Sequence, residues 1–189
     1  MDIITIDFET YYSKDYSLSK LTTESYIRDD RFEVIGLAIK VNDSTTSWYE
    51  HDEIPTILSS LNLSESAILG HNTFFDGSIL RWKYRKEPKF WLDTMSMAKP
   101  LHNIETGCSL SALAKHYKLG AKGTEVLHAV GKRRTDFTPQ ELDMYSKYCI
   151  NDVELTYKLW KKLSQGYPLS ELMVIDQTLR MFIEPVIEL

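Results

Sequence analysis

Apolar residues recur along this chain with two periods, one suited to strands and one to helices. Residues 2–8, built on the β-branched run Ile3-Ile4-Thr5-Ile6, read as a buried strand. Residues 33–41 and 45–50 read as two more, joined by the turn-rich Asn42-Asp43-Ser44. Short strands are predicted over 66–71, ending near Gly70, and over 90–94. Helical spacing covers 54–61, with Pro55 in the first turn, and 76–85, stopped before Pro88. It returns over 109–117, where Leu110, Leu113 and Ala114 share a face behind Ser109 as cap. Residues 120–135 are basic, glycine-containing and irregular, and read as a loop. Thr138-Pro139-Gln140-Glu141 is a helix start, with Thr138 as N-cap, Pro139 in the first helical position and Glu141 closing a capping box. That helix is predicted to run to about Leu163, where Gly166-Tyr167-Pro168 breaks the chain before a last helix over 169–182. The order predicts an α/β fold. Its mixed sheet is antiparallel through the first three strands, parallel afterwards, and flanked by helices.

The first strand also carries candidate chemistry. Side chains alternate faces along a strand, so Asp7 and Glu9 share one. Two carboxylates that close repel each other and resist burial. A hard divalent cation between them, Mg²⁺ or Mn²⁺, resolves the conflict. Asp76 comes just past a short strand, at the mouth of a helix, and sites in open α/β sheets lie at the carboxyl ends of strands. Asp152 lies within the helix predicted from Thr138, four residues after Tyr148, so the two side chains share a helical face. A carboxylate on a helix facing a sheet needs a partner, and a metal shared with Asp7 and Glu9 serves.

Composition narrows the setting. The chain has 189 residues, enough for one domain with a tail, and no apolar run near the roughly 20 residues of a membrane span. No signal-peptide pattern precedes the first strand. Cys108 and Cys149 form no CxxC pair, so neither zinc nor a disulfide framework is suggested, and a cytoplasm-like compartment is expected. A net charge of −5 argues against a protein that grips nucleic acid all over by its phosphates. An enzyme centred on a carboxylate cluster can still look acidic, because bound metals reverse the local sign.

Taken in order, Asp7-Phe8-Glu9, Asn72-Thr73-Phe74-Phe75-Asp76 and Tyr148-Cys149-Ile150-Asn151-Asp152 resemble the three motifs of DEDD-type 3′–5′ exonucleases. The spacing is most similar to the proofreading domain of phage-like family A DNA polymerases, over about residues 1–163. The histidine variant of the last motif would place histidine where Lys147 stands, so Tyr148 fits the tyrosine variant. The resemblance implies a ribonuclease-H-like fold, two divalent ions and release of nucleoside monophosphates from a single-stranded DNA 3′ end. On that footing Asp7, Glu9, Asp76 and Asp152 are the expected metal ligands. Asp7 would bridge the ions, Glu9 and Asp152 would complete one, Asp76 would hold the other through water, and Tyr148 would orient the attacking water.

Thr10, Asn72, Phe75, Arg133 and Arg134 are candidate substrate contacts. Lys122 and Lys132 complete the basic patch, and Asp93 is read as a helix cap. Residues 1–165 are expected to form the exonuclease domain. Residues 166–189 resemble the segment leading to a polymerase domain, and the chain is either an excised domain or a stand-alone enzyme. A monomer in the cytoplasm, for instance that of a phage-infected bacterial cell, is expected, with no membrane partner. Two alternatives stay open, an RNA 3′–5′ exonuclease of the same superfamily and an idle nucleic-acid-binding scaffold.

Overall fold

The computed structural model describes residues 1–102, 106–123 and 129–185. Part of the loop expected over 120–135, and the last four residues of the tail, lie outside them. Five strands form one sheet: β1 (Ile3–Thr10), β2 (Val34–Val41), β3 (Ser47–Glu50), β4 (Ala67–Gly70) and β5 (Phe90–Asp93), in the order β3-β2-β1-β4-β5. The short link after Val41 returns the chain beside β2, so β1, β2 and β3 pair antiparallel. Helical crossovers then deliver β4 and β5 parallel to β1 and to each other. The mixed sheet is the one the sequence predicts.

Seven helices are described: α1 (Thr23–Arg28), α2 (Ile54–Ser60), α3 (Thr73–Trp82), α4 (Thr94–His102), α5 (Leu110–His116), α6 (Pro139–Leu163) and α7 (Leu169–Ile183). None of them is long and apolar enough to cross a membrane. β1 divides the core. Ile4, Ile6 and Phe8 join the main cluster with Ile27 of α1 and with Ile79 and Leu80 of α3. The other face of the sheet receives α6. Ala38 of β2 meets Cys149 and Val153, while Tyr157, two turns on, meets Ala67, Leu69 and Leu92. α6 starts as predicted, with the Thr138 hydroxyl accepting from the Glu141 N–H and the Glu141 carboxylate accepting from the Thr138 N–H.

Three local features differ from the sequence pattern. α3 begins at Thr73 rather than Asp76, because the Asp93 carboxylate accepts the N–H groups of Asn72 (2.7 Å) and Thr73 (3.2 Å) and so starts the helix a turn early. The same carboxylate accepts from the Ser96 N–H at 3.0 Å, which makes Asp93 the cap of α4 as well. α1 escapes periodicity because it has six residues; Thr22 caps it, and Tyr26 and Ile27 are its buried anchors. α7 covers the outer edge of β5, where Asp176 accepts the Trp91 N–H at 2.7 Å and occupies a donor that an edge strand would otherwise expose. Gly77 lets α7 come close, since a Cβ there would stand 2.6 Å from Ile183 Cδ1.

Candidate active site

The central strand sets the position of the site. β4 pairs with β1 only as far as Thr5, so the Phe8 N–H extends beyond the end of β4 and needs another acceptor. Asp76, in the first turn of α3, supplies it: its Oδ1 accepts from the Phe8 N–H at 2.9 Å. Phe8 lies between Asp7 and Glu9, so this bond brings the third carboxylate to the first two. Opposite Glu9 and Thr10 the pairing of β1 with β2 slips by one residue, an irregularity of the kind that re-aims side chains.

α6 brings the rest. The Tyr145 hydroxyl donates to Glu9 Oε2 at 2.6 Å, and the Cys149 thiol lies 3.3 Å from both the carbonyl and Oδ2 of Asp7. Ligand atoms of Asp7, Glu9 and Cys149 lie within 4.8 Å of one another. Tyr145, Tyr148, Cys149 and Asp152 follow helical spacing and all are buried. The Lys122 ammonium pairs with Asp152 Oδ2 at 2.7 Å and lies 5.4 Å from the centre of the Tyr148 ring.

The electrostatics follow from this crowding. Burial raises the pKa of Asp7 well above the carboxylate range, and Asp76, Glu9 and Asp152 raise it further. Burial pushes Glu9 up to about 8, against the hydrogen bond from Tyr145, which favours the ionised form. Burial likewise lifts Asp76 to about 7, against the Phe8 N–H. The four carboxylates therefore meet electrostatically at Asp7, although they come from a strand and two helices. Tyr148 is raised by its own burial and then by Asp152, so its hydroxyl keeps its proton at neutral pH. Asp7, Glu9 and Asp76, crowded until they resist ionisation, together with the Asp152 carboxylate match the oxygen donor set of hard divalent cations, and Mg²⁺ or Mn²⁺ fits.

The remaining candidates fall at varied distances from this chemistry. The Thr10 hydroxyl meets the Tyr26 hydroxyl at 2.9 Å, and Phe75 tilts against the Tyr26 ring at 5.9 Å, making one wall beside the carboxylates. Asn72 adopts the left-handed conformation (φ 74°) as it opens α3. Arg133 pairs with Glu33 at 2.8 Å and covers the Tyr11 ring, and Arg134 pairs with Asp52 at 2.9 Å, so both guanidiniums are engaged by this chain's own carboxylates. Lys132 pairs with Glu141. His71 bonds Thr94 and the Cys108 carbonyl, a support for the strand end.

Sequence reasoning missed Tyr145 altogether and assigned Lys122 to the outer basic patch. The signal for Tyr145 was available, since it precedes Tyr148 by three residues and Asp152 by seven on one helical face. Lys122 reaches the site through a loop fold that no periodicity encodes. Tyr145 also yields a prediction. A carboxylate must be ionised to bind metal, and Tyr145 favours that ionised form in Glu9. Tyr145→Phe should therefore raise the Glu9 pKa and move the acid limb of the pH–rate profile upward by about one unit, for one hydrogen bond to a charge. Measurement of kcat/KM from pH 6 to 9 checks the direction.

Comparison with known proteins places the chain in a family. Residues 3–166 match the DNA polymerase A exonuclease family model, described as 3′–5′ exonuclease. The chain belongs to that family. Its family is one of 3′–5′ exonucleases, hydrolases of nucleic-acid 3′ ends. Curated proteins return no match. Solved structures similar to the exonuclease include RNase D of Trypanosoma brucei in complex with RNA U12, with TM-score 0.71, 13% identity, and coverage of 96% of this chain and 62% of that one. NrnC of Brucella melitensis with bound Mg²⁺ gives TM-score 0.67 and 14% identity, covering 96% of this chain and 81% of that one. The catalytic core of RRP6 from Trypanosoma brucei gives TM-score 0.67 and 14% identity over 96% of this chain and 46% of that one. The exonuclease thus spans less than two thirds of the RNase D chain. At these identities the likeness establishes the shared ribonuclease-H-like fold.

Proposed function

We propose that the exonuclease removes nucleotides one at a time from the 3′ end of single-stranded DNA, as the proofreading domain of a DNA polymerase. The observation that carries this reading is the meeting of Asp7, Glu9, Asp76 and Asp152 around the Phe8 N–H and the buried face of α6. These four residues would hold two divalent cations, Mg²⁺ or Mn²⁺. When bound, such ions lower the pKa of water toward neutrality and offset the charge that develops on the phosphoryl oxygens.

The chain's own groups supply orientation. The Tyr148 hydroxyl, kept protonated by burial, positions the attacking water rather than taking its proton. Tyr145 holds Glu9, and Phe8 holds Asp76, each in one direction. The wall of Thr10, Tyr26 and Phe75 faces the terminal nucleotide, with the Phe75 ring available to a splayed base. Asn72, at the start of α3, is the further candidate for a contact to the terminal nucleotide or a phosphate. Arg133 and Arg134 would meet the strand further away, in competition with Glu33 and Asp52. Water adds to the terminal phosphorus and the bond to the upstream 3′ oxygen breaks. That oxygen gains a proton, and a nucleoside 5′-monophosphate leaves.

The motif spacing and the DNA polymerase A exonuclease family match support DNA. An RNA 3′ exonuclease is the second reading, favoured by the fold shared with RNase D and RRP6. The two differ in how the 2′-hydroxyl is received. Matched 5′-labelled DNA and RNA oligomers, incubated with Mg²⁺ or with chelator, separate them. The proposal expects a metal-dependent ladder that shortens from the 3′ end faster on DNA. A faster ladder on RNA would replace it with the second reading, and no ladder on either would leave an idle scaffold.

A further inference from the structure

Lys122 occupies an unusual position for a loop lysine. Its ammonium pairs with Asp152 Oδ2 at 2.7 Å, with the lysine side chain 30% exposed and the aspartate side chain 7%. Among the described residues it is the one ammonium or guanidinium recorded within ion-pair distance of the four carboxylates. Burial works against the ammonium, yet Asp152 outweighs it and holds the Lys122 pKa above the ordinary lysine value. The loop that carries it is fastened to α6. Asn151, the neighbour of Asp152, donates from Nδ2 to the Ala121 carbonyl at 3.0 Å. Gly120 has φ +137°, and a Cβ there would come within 3.3 Å of Leu155 Cδ2. Tyr148, Asn151, Asp152 and Leu155 therefore form one helical strip on which residues 120–122 lie.

We propose that Lys122 is an internal competitor for the divalent cation at Asp152, a positioning residue that sets how much metal is needed to load the site. This inference rests on the metal-binding role proposed above. One oxygen of Asp152 cannot serve a close ammonium and a divalent ion equally. An ammonium that remains beside a bound cation repels it, and one that withdraws must first give up its ion pair. Either way Lys122 opposes metal binding. A purely structural role, holding the loop and α6 in place, predicts the reverse, since loosening the ligands would weaken the site.

Calorimetric titration of Mn²⁺ into the whole chain without substrate distinguishes the two. Lys122→Met should bind Mn²⁺ roughly tenfold tighter than the unaltered protein, because one unit of nearby positive charge is removed. Lys122→Arg should stay within about twofold, because a cation remains. Asn151→Ala, which frees the loop without changing charge, should tighten binding by a smaller factor and serves if Lys122→Met fails to fold. Unchanged or weaker binding in Lys122→Met, or in Asn151→Ala where that variant stands in, would overturn the inference. If Asp152→Asn still loses affinity in that case, the metal site itself stands. A wild-type chain that takes up no Mn²⁺ would overturn both.

Discussion

Replacing Asp7 with alanine is expected to lower 3′-end hydrolysis at saturating Mn²⁺ by at least a thousandfold. The figure follows from losing several kcal/mol of metal-derived transition-state stabilisation, at about 1.4 kcal/mol per factor of ten. Asp7 has this weight because every other carboxylate of the cluster acts on it. Its carboxylate is acted on by Asp76, Glu9 and Asp152, and its carbonyl and Oδ2 both face the Cys149 thiol of α6. The fold should survive, since relieving a crowded negative charge removes repulsion that the chain otherwise carries. Retained circular dichroism with lost turnover is the expected pair of readings. Turnover near wild type would remove Asp7 from the centre of the site.

A rise in melting temperature on adding Mn²⁺ is the second large effect. Cation that binds only the folded chain stabilises it by about 2.7 kcal/mol at a hundredfold excess over Kd. For a chain of this size that corresponds to roughly 5–10 °C. The effect depends on pH, and its sign can be worked out. Glu9 at about 8 and Asp76 at about 7 lie above their ordinary values, so between pH 4.5 and 8 the folded chain without metal holds more protons than the unfolded one. Stability in chelator therefore falls as pH rises through that window. Mn²⁺ needs the ionised forms, so its stabilising effect grows over the same window. Scanning fluorimetry at pH 6 and 8, with Mn²⁺ or chelator, should show the larger shift at pH 8. A flat response to metal at both values would contradict the cluster.

Much of this was legible before any coordinates. The β-branched run before Asp7 marked the central strand, and the two-residue alternation put Asp7 and Glu9 on one face. The Thr138 capping box located the start of α6 because its signal lies in three residue types at fixed offsets. Asp93 could be read as a cap for the same reason. What stayed hidden depends on tertiary partners. The start of α3 is set by Asp93, about twenty residues downstream, and not by local propensity. The engagement of Arg133 with Glu33 joins residues a hundred positions apart, so a charge run in sequence looked more available than it is. Lys122 was read as part of that same run, but the contact of Gly120 with Leu155 turns it inward. α7 looked like a tail, and its seat against β5 depends on Gly77 and Asp176.

The central claim is that residues 7, 9, 76 and 152 form one cage for a pair of cations. Anomalous diffraction from crystals soaked in Mn²⁺ tests it most directly. The account predicts two peaks about 3.5–4 Å apart, the separation of two-metal sites, with an Asp7 oxygen between them. Full Mn²⁺ occupancy elsewhere on the chain, with no peak beside Asp7, would contradict it.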